Sequence, residues 1–323
     1  MRALVSVVML TLLPLQSSQR GTAPVPLVDH HQHFFSPESI ALAARSQSYE
    51  PLDAAGLLKY LDAAGIQRAA VLSTAYQFGN PNRPPVENEY AKVKAENDWT
   101  SRQVAQFPAR LRGLCGVNPL KDYALDEIAR CAQDPSLRAG LKLHFGNSDV
   151  DLDNPAHVQQ LKRVFKSAND RRMGVVVHMR PSVTVRRVYG AKEAKVFLTE
   201  LLPAAPDVAV QIAHLAGAGG YDDPAIDEAL SVFADAAVSR DPRMKNVYFD
   251  VSGATGYGKW TEHTMQVAAR IRQLGVQRML FGSDGAERGG GIPPKEAWAL
   301  FLKLPLSDEE FRTIAINVAP YMK

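Results

Sequence analysis

Eight short apolar runs recur along the chain, and together they restrict the fold more than any other feature. They are VPLVDHHQHF, AAVLSTA, LCGVNP, GLKLHF, GVVVHMRP, VAVQIAHLAG, NVYFDVSG and RMLFGSDG. Most are rich in β-branched residues and close on Gly, Pro, Asn or Ser, as strands do. Their starts are spaced by roughly 30 to 45 residues, the length of a strand-helix unit. The intervening segments carry helical periodicity: Asn88 to Phe107, His157 to Arg171, Lys192 to Leu202, Asp223 to Ser239 and Thr261 to Leu274. Eight such units predict an α/β protein with a (β/α)8 TIM barrel. A doubly wound open sheet has the same alternation and stays open as the second reading, because order in space is not written in the pattern.

No linker divides the chain, so residues 23–323 are expected to form one barrel domain. Residues 1–22 read differently. Met1-Arg2 is followed by the apolar ALVSVVMLTLLPL and polar Gln16 to Arg20, the layout of a secretory signal peptide. The expected location is therefore periplasmic or secreted, with no membrane attachment once the leader is removed. The formal charge is only +3 and no stretch clusters Lys and Arg, which argues against a nucleic-acid partner. A small-molecule substrate is expected, and a homo-oligomer is allowed. The two cysteines make no disulfide framework; Cys115 and Cys131 read as small buried apolar residues, and a bridge between them in an oxidising compartment stays open without positive support.

Polar residues collect where the predicted strands end. The first run holds His30, His31 and His33, the fourth Lys142 and His144, the fifth His178, the sixth His214 and the eighth Asp284; of the eight histidines, only His157 and His263 lie elsewhere. Strand alternation puts His31, His33 and Asp29 on one face and His30 and Gln32 on the other, toward the helices or a loop. Three histidines and a carboxylate (His31, His33, His178, Asp284) suit Zn2+, with Mn2+, Fe2+ or Co2+ as replacements. Asp250 has the parity of Tyr248 and Ser252, and either faces the pocket as a partner of a ligand or bonds within its own strand. The polar segment YQFGNPNRPPVENEY after the second run reads as a lid or substrate wall.

The ordered set of motifs resembles the amidohydrolase-related family of the metal-dependent amidohydrolase superfamily. The resemblance runs from about Val25 to the C-terminus. It rests on VDHHQHF, ENDWTSRQVAQFPARLRGLCGVNPL, GLKLH, VVVHMR, IAHLAG, VYFDVSG, LFGSDG and the closing LPLSDEEFRTIAINVAPY. It implies His31, His33, His178 and Asp284 as metal ligands and His214 as the residue that polarises substrate or relays a proton. One departure stands out: many relatives carry Trp-Pro after the Ser-Asp of the eighth strand, where this chain has the Gly-rich SDGAERGGGIPP.

The first functional expectation is a metal-dependent hydrolase of an ester, lactone or amide. A divalent ion acidifies water from a pKa near 16 to roughly 7, Asp284 accepts its proton and His214 serves the developing oxyanion. The alternative implied by the family is a decarboxylase acting on an aromatic or unsaturated acid. It needs a cation for the carboxylate, and Arg180 and Arg83 are candidates. Lys142, His144, Arg180 and Tyr257 are candidate substrate contacts, with Trp260 a second aromatic near Tyr257. A binuclear site built on a carboxylated Lys142 is the less favoured alternative to a single ion. A barrel that only binds its ligand is the reading from a different class.

Overall fold

A computed structural model describes residues 24–43, 51–182, 186–218, 221, 223–253, 263–285 and 292–323. The leader, Tyr257, Trp260 and most of the Gly-rich segment after Asp284 lie outside them. The strands are β1 (Val28–Gln32), β2 (Arg68–Leu72), β3 (Leu111–Gly116), β4 (Gly140–His144), β5 (Gly174–His178), β6 (Val210–Ile212), β7 (Val247–Asp250) and β8 (Met279–Leu280). They form one parallel sheet in chain order. Backbone bonds from His30 N to Phe281 O and from Asp284 N to His31 O, each 2.8 Å, join the first strand to the segment after the last. The ring is thereby closed, and the open-sheet alternative is set aside.

The helices between strands are α1 (Pro37–Ala43), α2 (Ala54–Ala64), α3 (Glu89–Ala105), α4 (Ala124–Cys131), α5 (Pro155–Asp170), α6 (Ala191–Val196), α7 (Pro224–Val238) and α8 (Thr264–Leu274), and α9 (Pro294–Phe301) and α10 (Asp308–Ile316) follow the last strand. Their ends follow local chemistry. Asp223 accepts a bond from Ala225 N ahead of Pro224, so α7 starts with a side-chain cap and a proline at its first turn. Ser307 and Glu310 form a reciprocal capping box on α10. The stretch expected as one helix over Lys192 to Leu202 instead passes from α6 into a π-helical turn, Phe197–Leu201. Among the described residues, no helix is long and apolar enough to cross a membrane.

Alternation sorts β4 to β7 into two faces. Leu141, Leu143, Val175, Val177, Val210, Ile212, Val247 and Phe249 belong to the core between strands and helices. Val28, Ala70, Leu72, Leu114, Val176 and Leu280 fill the barrel interior, together with Ala319 and Met322 from the last segment of the chain. That segment ends in a 3-10 turn, Pro320–Met322. It closes the mouth of the barrel opposite the strand C-termini.

One sequence expectation needs correction. The strand β1 does not alternate strictly, because its register against β2 shifts between Asp29 and Gln32. One extra residue sits in β1 there, as in a bulge. His30 and His31 consequently both reach the barrel interior, at different heights. His30 does not face the helices: its Nε2 accepts from Ala319 N at 3.2 Å and its Nδ1 lies 2.9 Å from Phe281 O. Asp29 and Gln32, expected on opposite faces, bond to each other at 2.8 Å. The structure also answers a question the sequence left open: Cys115 on β3 and Cys131 on α4 form a disulfide.

Candidate metal centre

The C-terminal ends of the strands bring six rings into an arc. Neighbouring centroids run Tyr76–His144 5.2 Å, His144–His178 3.9 Å, His178–His214 4.9 Å, His214–His31 4.8 Å and His31–His33 5.2 Å. The close stack of His144 on His178 follows from the β4–β5 register, which pairs those two residues directly.

Within the arc, His31, His33 and Asp284 offer one ligand atom each inside a 4.8 Å group, as do His31, His214 and Asp250. Asp284 Oδ1 stands 3.4 Å from both His31 Nε2 and His33 Nε2. Hydrogen bonding fixes which nitrogens carry protons. His31 Nδ1 faces Asp250 Oδ2 at 3.0 Å and His33 Nδ1 faces Leu72 O at 2.6 Å. Both partners are acceptors, so both Nδ1 atoms are the donors and both Nε2 lone pairs point at the Asp284 side. Ligand bonds of about 2.1 Å in a tetrahedron put ligand atoms about 3.4 Å apart. The donor set therefore fits a divalent ion in both chemistry and spacing. His178 joins neither of the two groups; it lies across the arc between His144 and His214.

Asp250 organises the far side. Its Oδ2 accepts from His31 Nδ1 and from Gln211 Nε2 at 2.6 Å. Its Oδ1 accepts from His214 N at 3.0 Å, Ser252 N at 3.1 Å and Ser252 Oγ at 2.5 Å. Of the two roles open to Asp250, the structure gives the one that faces the pocket. His214 Nδ1 lies 3.0 Å from Ser252 O, so its proton sits there and Nε2 is left as an acceptor. His214, Leu215 and Ala216 have φ of 56°, 49° and 64°, and Asp284 has φ 53°. Left-handed backbone at non-glycine residues is costly and is found where surrounding contacts impose it. Here Asp250 holds His214 N, and the Tyr189 hydroxyl donates to Ala216 O. Gly282 leaves room for His31: an added Cβ would sit 2.8 Å from the His31 Cβ.

Burial sets the charges. It pushes His31 down to about 4, reinforced by the nearby Lys142, and drives His144 and His178 well below the usual imidazole range. Burial lowers Lys142 to about 8. For Asp250 and Asp284 burial opposes ionisation, but the His31 imidazole beside each outweighs it and holds both below the usual carboxylate range. Burial raises Asp29 to about 6, against bonds from Ser283 and Gln32. Burial thus disfavours the charged forms of His31, His144, His178 and Lys142 alike.

The remaining sequence candidates fall in different places. Lys142, 1% exposed, puts Nζ 3.2 Å from His31 Nε2. His144 Nδ1 accepts from Asn147 N, which leaves its proton on Nε2. Arg180 is engaged: it bonds Asp223 Oδ2 at 2.7 Å and stacks on the Tyr189 ring. Arg83 bonds Gln77 Oε1 at 3.2 Å within the segment after β2. Sequence reasoning missed Gln211, Ser252 and Ser283. Gln211 had a readable signal, as the one polar side chain inside the apolar run VAVQIA, where a buried amide must have partners.

Comparison with curated proteins finds no match. Among solved structures, the chain is similar to 2,6-dihydroxybenzoate decarboxylase from Rhizobium, at 17% identity over 92% of this chain and 98% of that one, with a TM-score of 0.62. It is similar to a dihydroxybenzoic acid decarboxylase from Polaromonas with bound manganese, at 16% identity over 92% and 97%, TM-score 0.61. It is also similar to a probable 2-pyrone-4,6-dicarboxylic acid hydrolase from Acinetobacter baumannii, at 18% identity over 90% and 96%, TM-score 0.59. These likenesses establish the fold. The amidohydrolase family model matches residues 28–317, nearly the whole barrel, and the chain belongs to the amidohydrolase family.

Proposed function

We propose that the protein is a metal-dependent hydrolase of an ester, lactone or amide bond in a small organic molecule. The observation that carries this reading is the convergence of two unprotonated imidazole nitrogens on Asp284 Oδ1, each at 3.4 Å. His31, His33 and Asp284 would hold one divalent ion, Zn2+ by preference for nitrogen-rich sets and Mn2+ as the first replacement. His178 is the fourth ligand on the family pattern. The ion supplies Lewis acidity, which acidifies water and polarises a carbonyl. Asp284, ionised and partly open to the cleft, takes a proton from the attacking water. His214 presents Nε2 as the base that collects that proton and returns it to the leaving oxygen or nitrogen. Ser252 keeps the imidazole in the tautomer this transfer needs.

Decarboxylation of an aromatic acid is the second reading. The specific observation in its favour is Lys142, a buried amine beside the ligand set that can balance a substrate carboxylate; two of the three similar structures named above are decarboxylases by name. Against it, of the two arginine candidates, Arg180 is already paired with Asp223 and Arg83 bonds Gln77 Oε1.

The test strips the protein with chelator, reloads Zn2+ or Mn2+, and assays a panel of lactones, esters, amides and aromatic acids. Hydrolysis of an ester or lactone releases a proton and hydrolysis of an amide releases a free amine, whereas decarboxylation releases trappable CO2 and consumes a proton. Metal-dependent release of acid or amine supports the proposal. Metal-dependent CO2 release replaces it with the second reading, and inactivity of the loaded protein on the whole panel refutes both.

A further inference from the structure

The last segment of the chain touches the metal centre from behind. Asn317 Nδ2 ties it to Val276 O and Met279 O at 2.8 and 2.7 Å, and Arg68 donates to Met322 O at 2.8 Å. Between these anchors the segment enters the barrel. Ala319 N donates to His30 Nε2, and the Tyr321 hydroxyl donates to Gln211 Oε1. Gly174, at the start of β5, leaves space for the ring: a Cβ there would lie 2.8 Å from Tyr321 Cδ1. Tyr321 is therefore seated by the shape of the barrel floor as well as by its hydroxyl.

From Tyr321 the bonds continue without a gap. Gln211 Nε2 lies 2.6 Å from Asp250 Oδ2 and 3.3 Å from His30 O, both acceptors. The amide can thus point only one way, with its oxygen toward Tyr321. Asp250 Oδ2 accepts next from His31 Nδ1. We propose that Tyr321 is a positioning residue for the metal centre, fixing the ring and tautomer of His31 through Gln211 and Asp250. This rests on His31 being a metal ligand, as proposed above.

Gln211 is buried and has two acceptors on its nitrogen side. With a hydroxyl donor at Oε1, flipping would set oxygen against the Asp250 carboxylate and nitrogen against a donor, so the flipped state is suppressed. Without the hydroxyl, Oε1 loses its partner and the penalty for flipping falls. A flipped amide repels Asp250 Oδ2, which loosens the bond that keeps the His31 proton on Nδ1. A ligand imidazole depends on that outer bond for its orientation and basicity. His30, which the metal groups exclude, holds the same segment by its other nitrogen, so the residue before the ligand and the carboxylate behind it are both gripped by one turn.

The experiment compares wild type, Tyr321→Phe, Gln211→Ala and the double variant. Phenylalanine keeps the ring against Gly174, and melting curves verify that each variant folds. Zn2+ affinity is measured by competition with a chromophoric chelator, and the His31 Nδ1 proton is followed by 15N–1H correlation in the metal-free protein. Tyr321→Phe is expected to weaken Zn2+ about fivefold, one hydrogen bond's worth. Gln211→Ala should weaken it about tenfold or more, and the double variant should match Gln211→Ala. The His31 Nδ1 signal should broaden or shift in Tyr321→Phe. Affinity within twofold of wild type, or effects of the two changes that multiply, overturns the proposal. Should wild type bind no stoichiometric Zn2+, the metal reading fails by itself; the metal-free spectrum then decides, and an unchanged His31 signal in Tyr321→Phe refutes the positioning role.

Discussion

Replacing Asp250 by asparagine probes the logic of the centre most directly, because the change preserves shape and removes one charge. The new amide nitrogen must occupy the place of Oδ1 or Oδ2. At Oδ1 it would meet three donors, His214 N, Ser252 N and Ser252 Oγ; at Oδ2 it meets two, His31 Nδ1 and Gln211 Nε2. The second arrangement costs less. It still sets the amide against the Gln211 nitrogen and forces the His31 proton onto Nε2, the atom that faces Asp284. Hydrogen bonds to a charged group contribute about 1.5–3 kcal/mol each. Losing one, reversing another and weakening three gives about 3–5 kcal/mol. At about 2.1 cal/mol/K per residue, each kcal/mol moves the melting temperature of a chain this long by about 1.5 °C, so the metal-free variant should melt roughly 5–8 °C lower. Metal affinity should fall about 10- to 100-fold, the usual effect of removing a partner of a ligand imidazole. Both quantities come from calorimetric melts and chelator competition on the same preparations. Unchanged Zn2+ affinity in a folded Asp250→Asn protein would refute the claim that Asp250 sets the His31 tautomer.

Other outcomes are expected on the same basis. Lys142→Met should strengthen binding of a single divalent ion severalfold by removing a buried like charge; loss of a second metal equivalent, seen by elemental analysis, would instead reveal a carboxylated lysine bridging two ions. Reducing the disulfide between Cys115 and Cys131, which are 16 residues apart, should cost about 3 kcal/mol through loop entropy; a melt unchanged by reductant under partly denaturing conditions would contradict this. Hydrogen bonding from Arg272 holds Glu310 down to about 2, against an ordinary 4.5. Its contribution is therefore complete above the ordinary glutamate range and is lost as pH falls through about 2. Glu310→Gln should be less stable than wild type at pH 6 and indistinguishable near pH 2, and a difference independent of pH would show that the charge is irrelevant.

The barrel was legible because a buried parallel strand must be apolar on both faces. A polar residue in such a run, as at His31, Lys142 or Asp250, is then conspicuous. Parity placed His31 and His33 together, and the structure has them so. It failed for His30 and for Asp29 with Gln32, because a single inserted residue resets alternation and leaves no mark in composition. The Cys115–Cys131 pair could not be read either: its approach depends on how α4 lies over β3, which is set by packing rather than by spacing. Position at a strand end did not reveal that His178 stacks on His144, nor that Arg180 pairs with Asp223, a helix cap from the next unit. The bonds from Tyr321 to Asp250 join residues on β6, β7 and the final turn, and only the closed ring makes them neighbours.

The seam of the barrel has a consequence for its motions. The strand β8 spans two residues, and the ring is completed by Asp284 N bonding to His31 O. The seam therefore runs through two residues of the proposed ligand set. Any breathing of the barrel that parts its first strand from its last also dismantles the centre. An ion shared by His31 and Asp284 would rivet that seam, joining residues at opposite ends of the sequence. The exchange rate of one amide hydrogen, that of Asp284, would then report on barrel opening and ion release together.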